Sequence, residues 1–600
     1  MKGNVGRRWR MIRCFLTGHI KWFARVIIWS MLATILGSLT PQIIRFTVDS
    51  VVGDKPFALP AFLGDPLTRL GGQAFLRAHL YIIFAAIVLT ALANALCTYC
   101  SRVDTTRGSE GFVKTMRDKL FAHIGRLPYS WHVQNQTGDI IQRCTSDVEV
   151  VKDFVSGQLL EVFRTSFLVI WALIMMFSMN VRLSLIAMIF IPIVLLYSAI
   201  FYRKIGKKFR VADEAEGELS NIAQENLTGV RVVRAFGKEA AEIDKFKTQN
   251  HTYSNLWIKL GYLLGSYWGL GDLITGLQVM VVLVAGTVMA VNGNLTVGEL
   301  LAFISYNSTL IWPIRSLGRT LSEMSKAGVS VDRLAYIWEA EEETDAADAE
   351  KPEVHGALTF EHVSFRYPDG SAVLHDLNFT VPAGKTYAVL GATGSGKSTL
   401  MHLLVRLYEL PPESGRILLD GHDIAKIDRH YLREHVGIVL QEPFLYSRTI
   451  AENIAIKFPN ADREKIRTAA RIAAVDEAIE EFTDGYETVV GERGVTLSGG
   501  QKQRVAMARM LMQNASVMIF DDSLSAVDAE TDEKIRNALL SMPTKATKLI
   551  ISHRVTTLMQ ADCIVVLEKG KIAEMGSHKE LLAENGIYKR IYDIQRADEE

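Results

Sequence analysis

A nine-residue loop in the C-terminal half has the residue types and spacing needed to bind phosphate: Gly391-Ala392-Thr393-Gly394-Ser395-Gly396-Lys397-Ser398-Thr399. It fits the P-loop pattern, in which glycines let several backbone N–H groups point into one hollow. Lys397 would add a positive charge, and Ser398 would place its hydroxyl on Mg²⁺. The sequence therefore predicts a nucleoside triphosphate as the ligand.

The segments around this loop predict the elements that would position it. An apolar run, Tyr387–Leu390, precedes the loop as a predicted strand, and Leu400–Leu407 follows it as a predicted helix. That strand–loop–helix context is the one that a P-loop requires. Further along, Leu497-Ser498-Gly499-Gly500-Gln501 precedes an amphipathic helical stretch. An apolar strand then ends at Asp521.

Length and composition indicate a chain of at least two domains. The 600 residues exceed the usual size of one domain. Net charge is zero, so overall charge gives no indication of nucleic acid, and no nucleic-acid partner is predicted. Five cysteines are too few and too scattered for a disulfide framework. Cys97 and Cys100 lie in an apolar helical segment, where we interpret them as small apolar side chains.

Long apolar runs occupy the first half of the chain and predict a membrane domain. A spanning helix needs about 20 mostly apolar residues. Six segments meet that requirement, at roughly 22–48, 78–100, 158–179, 182–202, 260–291 and 297–318. The connections after the second and fourth are long, polar and helix-like, whereas those after the third and fifth are short.

The distribution of Lys and Arg predicts the orientation in the membrane. Both long connections, 101–157 and 203–259, are rich in basic residues, whereas the loops on the other side offer few. Because basic loops stay in the cytosol, we expect the N-terminus, both long loops and the P-loop domain to be cytosolic. The protein would be a multi-pass protein of the plasma (inner) membrane. Residues 7–25 mix basic and aromatic side chains, which predicts a helix lying on the lipid bilayer.

An acidic run between the two halves, Glu339–Glu350, marks the expected domain boundary, because it cannot bury apolar surface. The predicted organisation has four parts. They are an interfacial N-terminal helix at 1–21, a six-helix transmembrane domain at 22–325, an acidic linker at 326–350 and a nucleotide-binding domain at 351–600.

The P-loop, the Leu497–Gln501 motif and the strand ending at Asp521 together resemble the nucleotide-binding domain of ATP-binding cassette (ABC) proteins over residues 355–595. With six preceding spans, the chain resembles an ABC exporter half-transporter. The resemblance implies a membrane domain of six transmembrane helices with long cytosolic extensions, followed by an α/β P-loop domain. It also implies an ATP hydrolase coupled to transport, with ATP and Mg²⁺ bound.

Further residues fall at positions that match the family. Tyr367 resembles the aromatic residue that stacks on adenine, and Gln441 resembles a glutamine that touches Mg²⁺. Asp521 resembles the carboxylate that holds Mg²⁺, and His553 resembles the histidine that contacts the γ-phosphate. Two more stretches, at 490–494 and 525–528, resemble motifs that meet the cytosolic loops and the opposed cassette.

The resemblance also implies that two cassettes must pair. In this family the segment Ser498-Gly499-Gly500-Gln501 completes the ATP site of the facing cassette rather than its own. A helix start with free N–H groups is a ready anion site. The expected partner is therefore a second ABC half-transporter.

Asp522 departs from the family pattern, which usually has Glu directly after the strand Asp. That Glu polarises the attacking water. Asp is one methylene shorter, so its carboxylate is set back by about 1.5 Å. A misplacement on that scale can cost about a hundredfold in rate. The site is expected to bind ATP and hydrolyse it slowly, which resembles the degenerate-site subunit of heterodimeric bacterial multidrug exporters. The alternative is a tolerated variant in a homodimer.

The cargo is the least constrained property. Amphipathic small molecules are the expected substrate, with lipid or peptide export, or a non-pumping ATP-gated channel or regulatory subunit, as alternatives. Asp272, inside the fifth span, would meet a cationic drug or pair with Arg164 or Arg315. Two short pieces, around 128–131 and 228–234, resemble the helices that press on the cassettes.

Overall fold

The computed structural model describes residues 2–53, 55–56, 69, 72–491, 497–523, 528–540 and 545–599. The chain divides into two compact units. The first comprises Met1–Arg126 and Asn135–Ala340, and the second comprises Leu127–Gln134 and Glu341–Glu600. Most of the two motifs expected at 490–494 and 525–528 lies outside the described residues.

Long helices build the first unit. They are α1 (Lys2–Leu16), α2 (Ile20–Phe46, continued by a π-helical turn over Thr47–Val52), α3 (Gly72–Ala78), α4 (Tyr81–Ile124), α6 (Thr137–Met179, with π-helical turns at Arg143–Asp147 and Asp153–Gln158), α7 (Val181–Thr228), α8 (Val230–Ala235), α9 (Glu239–Val291) and α10 (Val297–Trp338). The short helix α5 (Tyr129–Gln134) belongs to the second unit. Helices α5 and α8 lie where the two short loop helices are expected.

Within the described residues, five helices are long and apolar enough to cross a membrane. They are Ile20–Val52, Tyr81–Ile124, Thr137–Met179, Val181–Thr228 and Glu239–Val291. The sixth expected span, 297–318, lies on α10, which is not among the five. Its apolar run is diluted by Ser305, Asn307 and Thr309. The first unit is thus a helical transmembrane domain.

The core of the membrane domain is apolar with a few paired polar groups. Met176, Leu183 and Phe303 are fully buried in one cluster. Beside it, Gln278 Nε2 donates to Asn307 Oδ1 at 2.7 Å, and both side chains are buried. This bond satisfies Gln278 Nε2 and Asn307 Oδ1, which lowers the cost of burying the two amides, whereas Asn307 Nδ2 has no hydrogen-bond partner among the described residues. The polar residues of α10 therefore take part in packing.

Asp272 pairs with Arg315, one of the alternatives that the sequence left open. Arg315 Nη1 donates to Asp272 Oδ1 at 2.8 Å, and the Arg315 side chain is buried while Asp272 is exposed. A Cβ atom at Gly271 would lie 2.5 Å from Arg315 Nη2, so this glycine makes room for the guanidinium. The guanidinium also lies over the ring of Trp268. Arg315 therefore neutralises Asp272 within the chain.

The N-terminal basic residues contact protein carboxylates as well as solvent. Arg7 pairs with Glu339, and Arg8 Nε donates to Asp332 Oδ1 at 2.8 Å. Phe15 is fully buried against the ring of Trp338. These contacts fasten α1 to the end of α10.

Two sheets and surrounding helices build the second unit. The strands are β1 (Leu358–Arg366), β2 (Ala372–Val381), β3 (Thr386–Gly391), β4 (Arg416–Leu419), β5 (His422–Asp423), β6 (Val436–Val439), β7 (Val517–Asp521), β8 (Thr547–Ile551), β9 (Cys563–Glu568) and β10 (Lys571–Gly576). The helices are α11 (Lys397–Leu404), α12 (Arg429–His435), α13 (Ile450–Ile454), α14 (Arg463–Ile472), α15 (Asp476–Glu480), α16 (Gly499–Leu511), α17 (Ala529–Leu540), α18 (Val555–Leu558), α19 (His578–Ala583) and α20 (Ile587–Glu599).

The larger sheet has the order β10-β9-β3-β8-β7-β6, with β10 antiparallel and the others parallel. The smaller, antiparallel sheet has the order β2-β1-β4-β5. Both faces of the larger sheet are covered. Ile519 packs with the smaller sheet and α11, whereas its neighbours Met518 and Phe520 pack with the helices of the other face. This explains the unbroken apolar runs of the central strands.

The expected linker, 326–350, is not a separate segment in the structure: residues up to Ala340 belong to the first unit, and those from Glu341 belong to the second. Residues 326–338 continue α10, so that helix extends past the predicted boundary at 325. The acidic stretch that follows pairs with basic residues within the second unit: Asp345 Oδ1 lies 3.2 Å from Arg429 Nη1, and Glu343 pairs with Arg433. The sequence alone does not show these ion pairs, because the basic partners are distant in the sequence.

Candidate nucleotide site

The P-loop connects the buried end of β3 to the start of α11. Gly394 and Gly396 have φ values of +81° and +101°, which L-residues rarely adopt. A Cβ atom at Gly396 would lie 2.4 Å from Leu374 Cδ2, and one at Gly391 would lie 2.5 Å from the Leu567 carbonyl oxygen. Glycine is therefore required by conformation at Gly394, by space at Gly391 and by both at Gly396. The result is a loop that wraps the N-terminus of α11.

Lys397 supplies the positive charge at this loop. Its Nζ donates to the carbonyl oxygens of Gly391 at 2.7 Å and Ala392 at 2.9 Å. Burial lowers the pKa of Lys397, and the nearby carboxylates of Asp521 and Asp522 oppose that shift. A half-buried ammonium held by neutral carbonyls can be stabilised further by an anion. The residues present fit a phosphate group.

Asp521 and Ser398 lie next to each other at the wall of the cleft. Asp521 ends β7, is buried, and accepts from Ser398 Oγ at 3.3 Å. Burial raises the pKa of Asp521, although the Ser398 hydroxyl and Lys397 partly offset the effect. A buried carboxylate next to a hydroxyl is an oxygen donor set of the kind that Mg²⁺ takes. This pair fits the expected metal.

Asp522 lies between Gln441 and His553. Its Oδ2 accepts from Gln441 Nε2 at 3.4 Å, and its Oδ1 lies 3.1 Å from His553 Nδ1. The backbone of Asp522 is in the left-handed region, with φ of 45°, and its N–H donates to the Ile551 carbonyl at 3.0 Å. The side chain is largely buried, whereas His553 is exposed. Gln441, Asp522 and His553, the three residues that the family resemblance offers as candidates for catalysis, thus form one cluster.

The cleft that these groups surround has a volume of about 700 Å³. Most of the predicted residues line it, namely Tyr367, Gly391, Thr393, Gly394, Gly396, Lys397, Ser398, Thr399, Gln441, Asp521, Asp522 and His553. Ser395 lies in the loop but is buried, and its Oγ has no hydrogen-bond partner among the described residues. The cleft is large enough for a nucleotide-sized ligand.

Tyr367 contributes an edge of the cleft. Its hydroxyl lies 2.8 Å from Thr399 Oγ1, and its ring packs edge-on against Phe365 and Tyr408. Tyr408 also meets Tyr129 of α5 edge-on, at 5.6 Å between ring centroids. The aromatic group therefore extends from the cleft to α5. Sequence reasoning missed Tyr408, which stands in no motif.

Three residues that do line the cleft were also missed: Val373, Ile551 and Ser552. Ile551 and Ser552 follow from the parallel pairing of β8 with β3, which brings the ends of both strands to one edge. Their position directly before His553 was the only available signal. Val373 lies on β2 and contributes a carbonyl near Gly396. No local pattern marks it.

The Leu497–Gln501 motif lies apart from this cleft. Ser498 caps α16: its Oγ accepts from the Gln501 N–H at 3.2 Å, and Gln501 Oε1 accepts from the Ser498 N–H at 2.9 Å. Neither they nor Gly499 and Gly500 line the cleft. Space for a Cβ atom at Gly499 is open, so the start of α16 is accessible.

Comparisons with known proteins agree with this architecture. The family model of the ABC transporter transmembrane region matches residues 23–314, and that of the ABC transporter matches residues 374–525. Two relatives are from Bacillus subtilis (strain 168). The uncharacterized ABC transporter ATP-binding protein YknU is 34% identical over 96% of both chains. The putative multidrug export ATP-binding/permease protein YgaD is 36% identical over 90% of this chain and 94% of that one.

Among solved structures, a bacterial Atm1-family ABC exporter with ATP bound matches with a TM-score of 0.79. The two sequences are 26% identical, and the match covers 96% of this chain and 99% of the other. The match thus extends over both units.

Proposed function

The chain belongs to the ABC transporter family as an exporter that couples ATP hydrolysis to transport, and we propose that it is the slowly hydrolysing half of a heterodimer. Its cargo in this proposal is an amphipathic small molecule. Relatives named as putative multidrug export proteins support that class of cargo. ABC exporters work as dimers. What the proposal adds is that the second half-transporter is a different chain.

The residues of the cleft divide into three roles. The P-loop amides and Lys397 bind the phosphates, and Tyr367 contacts the adenine. Ser398, Asp521 and Gln441 hold Mg²⁺, which neutralises charge on the phosphates when bound. This assignment is supported by the buried Asp521 carboxylate, whose raised pKa reports a group that a cation would stabilise.

The observation that carries the slow site is the position of Asp522. Both of its carboxylate oxygens have protein partners, on His553 and Gln441. A general base must come within about 2.6–3.2 Å of the proton that it accepts. The short side chain, held at the cleft wall, cannot reach as far as Glu would from the same backbone. Water is therefore polarised poorly, and hydrolysis is slow while ATP binding is retained.

The start of α16 serves the other half. Ser498 and the first N–H groups of α16 form an anion-binding helix terminus that faces open space rather than its own cleft. A facing cassette with its own P-loop would bring its nucleotide to this terminus. This chain then completes a fast site on its partner while its own site remains slow.

The test compares the chain alone with the chain co-purified with the half-transporter encoded next to it. Phosphate release is measured at saturating ATP, and ATP binding is measured separately with a fluorescent analogue. We expect tight binding with little turnover alone, and turnover raised by about a hundredfold in the complex. Fast hydrolysis by the chain alone would contradict the heterodimer.

We also propose six spans, with the sixth on α10, in the plasma (inner) membrane and with the cassette in the cytosol. The basic character of 101–157 and 203–259 supports this orientation. The test introduces a single cysteine into a cysteine-free chain, either as Val232→Cys in α8 or as Asn292→Cys after α9, and labels intact cells with an impermeant maleimide. Only the Asn292→Cys variant should react. Labelling of the Val232→Cys variant without permeabilisation would contradict the orientation.

A further inference from the structure

A cavity of about 390 Å³ lies within the membrane domain, between α2, α4, α6 and α10. Its volume falls in the range of small-molecule sites. Its walls mix hydroxyl groups with apolar surface and contain two arginines, Arg102 and Arg164. None of the described lining residues is Asp or Glu. A cavity with two arginines and no carboxylate among its described lining residues favours a negatively charged ligand.

The cavity has a charged end and an apolar end. Ser30 of α2 and Ser101 of α4 are hydrogen-bonded at 3.1 Å, which places Arg102 at the level of Ser30. Trp171 of α6 donates to Ser38 of α2 at 2.9 Å. Ser38 lies eight residues beyond Ser30, about 12 Å along a helix.

Arg164 lies at the charged end with Arg102. Beyond the Trp171–Ser38 contact, Gln42 meets Met179, so α2 and α6 run in the same direction. Arg164 precedes Trp171 by seven residues, about 10 Å along the helix. Both arginines are therefore near the level of Ser30, whereas Trp171 lies near Ser38.

The two guanidinium groups retain donors for a ligand. Arg164 pairs with Glu161 at 2.9 Å, but that contact uses one of its two terminal nitrogens, and the side chain is half exposed. For Arg102, no ion pair is found with any residue that the structure describes. Arg102 is exposed and lies two residues beyond the expected second span, 78–100, so the arginines stand at the end of the cavity next to the basic connection that follows. An anionic ligand there would gain charge-assisted hydrogen bonds from both side chains.

We propose that this cavity binds an amphipathic anion, with a carboxylate or phosphate between Arg102 and Arg164 and an apolar body against Trp171. The proposal rests on the exporter function and specifies its cargo. The competing candidate, a cation at Asp272, is weaker because Arg315 already neutralises that carboxylate. Guanidinium groups match the two oxygens of a carboxylate or phosphate geometrically as well as in charge.

The test is equilibrium binding of dansyl-undecanoic acid to the full chain, with its partner where one co-purifies, in nanodiscs of phosphatidylcholine without ATP. Energy transfer from tryptophan to dansyl reports binding. The methyl ester and the corresponding amine of the probe are the matched ligands. Arg102→Gln and Arg164→Gln are the test variants, Arg102→Lys retains the charge, and Arg182→Gln is the control because Arg182 is exposed and does not line the cavity.

We expect the acid to bind at least tenfold more tightly than the ester or the amine. Each Gln variant should weaken binding of the acid about tenfold, Arg102→Lys by less, and Arg182→Gln not at all. Equal binding of acid and amine, or unchanged binding in both Gln variants, would overturn the proposal. ATP binding by each variant is measured in parallel, because a misfolded variant would lose it. If a Gln variant is misfolded, the comparison of acid, ester and amine on the unmodified chain decides the outcome.

Competitors identify the source of the anion. Displacement by lysophosphatidate supports a lipid headgroup, and displacement by an aromatic carboxylate but not by lysophosphatidate supports a soluble compound; either supports the anion site. Because binding is measured without ATP, its failure is distinct from failure of the exporter function. That function is tested by ATP-driven uptake into inverted vesicles.

Discussion

Replacing Asp522 by Glu tests the reasoning about the slow site most directly. The Asp522 carboxylate lies 3.1 Å from His553 Nδ1 and 3.4 Å from Gln441 Nε2, at the wall of the cleft. One added methylene moves the carboxylate outward by about 1.5 Å. Since a displacement of about 1 Å can cost about a hundredfold in rate, turnover at this site should rise by up to that factor. That gain equals about 2.7 kcal/mol in activation free energy.

The assay is phosphate release at saturating ATP from the complex in which the partner's own ATP site has been disabled. Asp522→Gln is the matched control, because it has the length of Glu without the negative charge. We expect Asp522→Glu to be faster than the unmodified chain, Asp522→Gln to be no faster, and ATP affinity to change less than about threefold. A Glu variant that is no faster, or a Gln variant that is equally fast, would show that side-chain reach does not limit hydrolysis.

Three further predictions concern the rest of the site. Gly396→Ala should weaken ATP binding at least tenfold by equilibrium dialysis, because its Cβ would clash with Leu374 and its φ is positive. The control is Gly421→Ala, at a position with a positive φ but open space. Unchanged ATP affinity in the Gly396→Ala variant would contradict this prediction. Burial raises the pKa of Asp521, so ionising its carboxyl group costs folding free energy as pH rises above the unfolded pKa of 3.8. Asp521→Asn should therefore raise the melting temperature of the nucleotide-free protein at pH 7 but not at pH 4, while reducing Mg²⁺-dependent hydrolysis. An equal shift of the melting temperature at both pH values would contradict this prediction. Tyr408→Leu removes the edge contact with Tyr367 and should raise the dissociation constant for ATP about two- to tenfold; no change would show that this packing does not position Tyr367.

The P-loop could be predicted from sequence because its requirements are local. A glycine with positive φ and a lysine at the helix start are fixed by a few consecutive residues, as Gly396 and Lys397 illustrate. Val373 and Ile551 could not be predicted as lining residues, because they reach the cleft through the pairing of strands that are distant in the sequence. The sequence motifs therefore account for only part of the residues that line the cleft.

The membrane domain shows the same limit. Apolar run length was enough to predict a helical transmembrane domain, and five of the expected spans meet the length and hydropathy criteria in the described residues. The expected sixth span on α10 does not, because polar residues such as Asn307 interrupt its apolar run, and Asn307 is paired with another helix. Burial of a polar residue depends on its partner, which a hydropathy pattern does not contain. The Asp345 contact with Arg429 escaped prediction for the same reason.

The left-handed backbone of Asp522 has an evolutionary consequence. Among residues with a side chain, Asp and Asn tolerate this conformation several-fold better than most others. A Glu at the same place would gain catalytic reach and lose some local backbone stability. Selection for rapid turnover and selection for a robust fold thus act in opposite directions at this one codon, and a lineage that no longer needs a fast second site would drift towards the shorter acid.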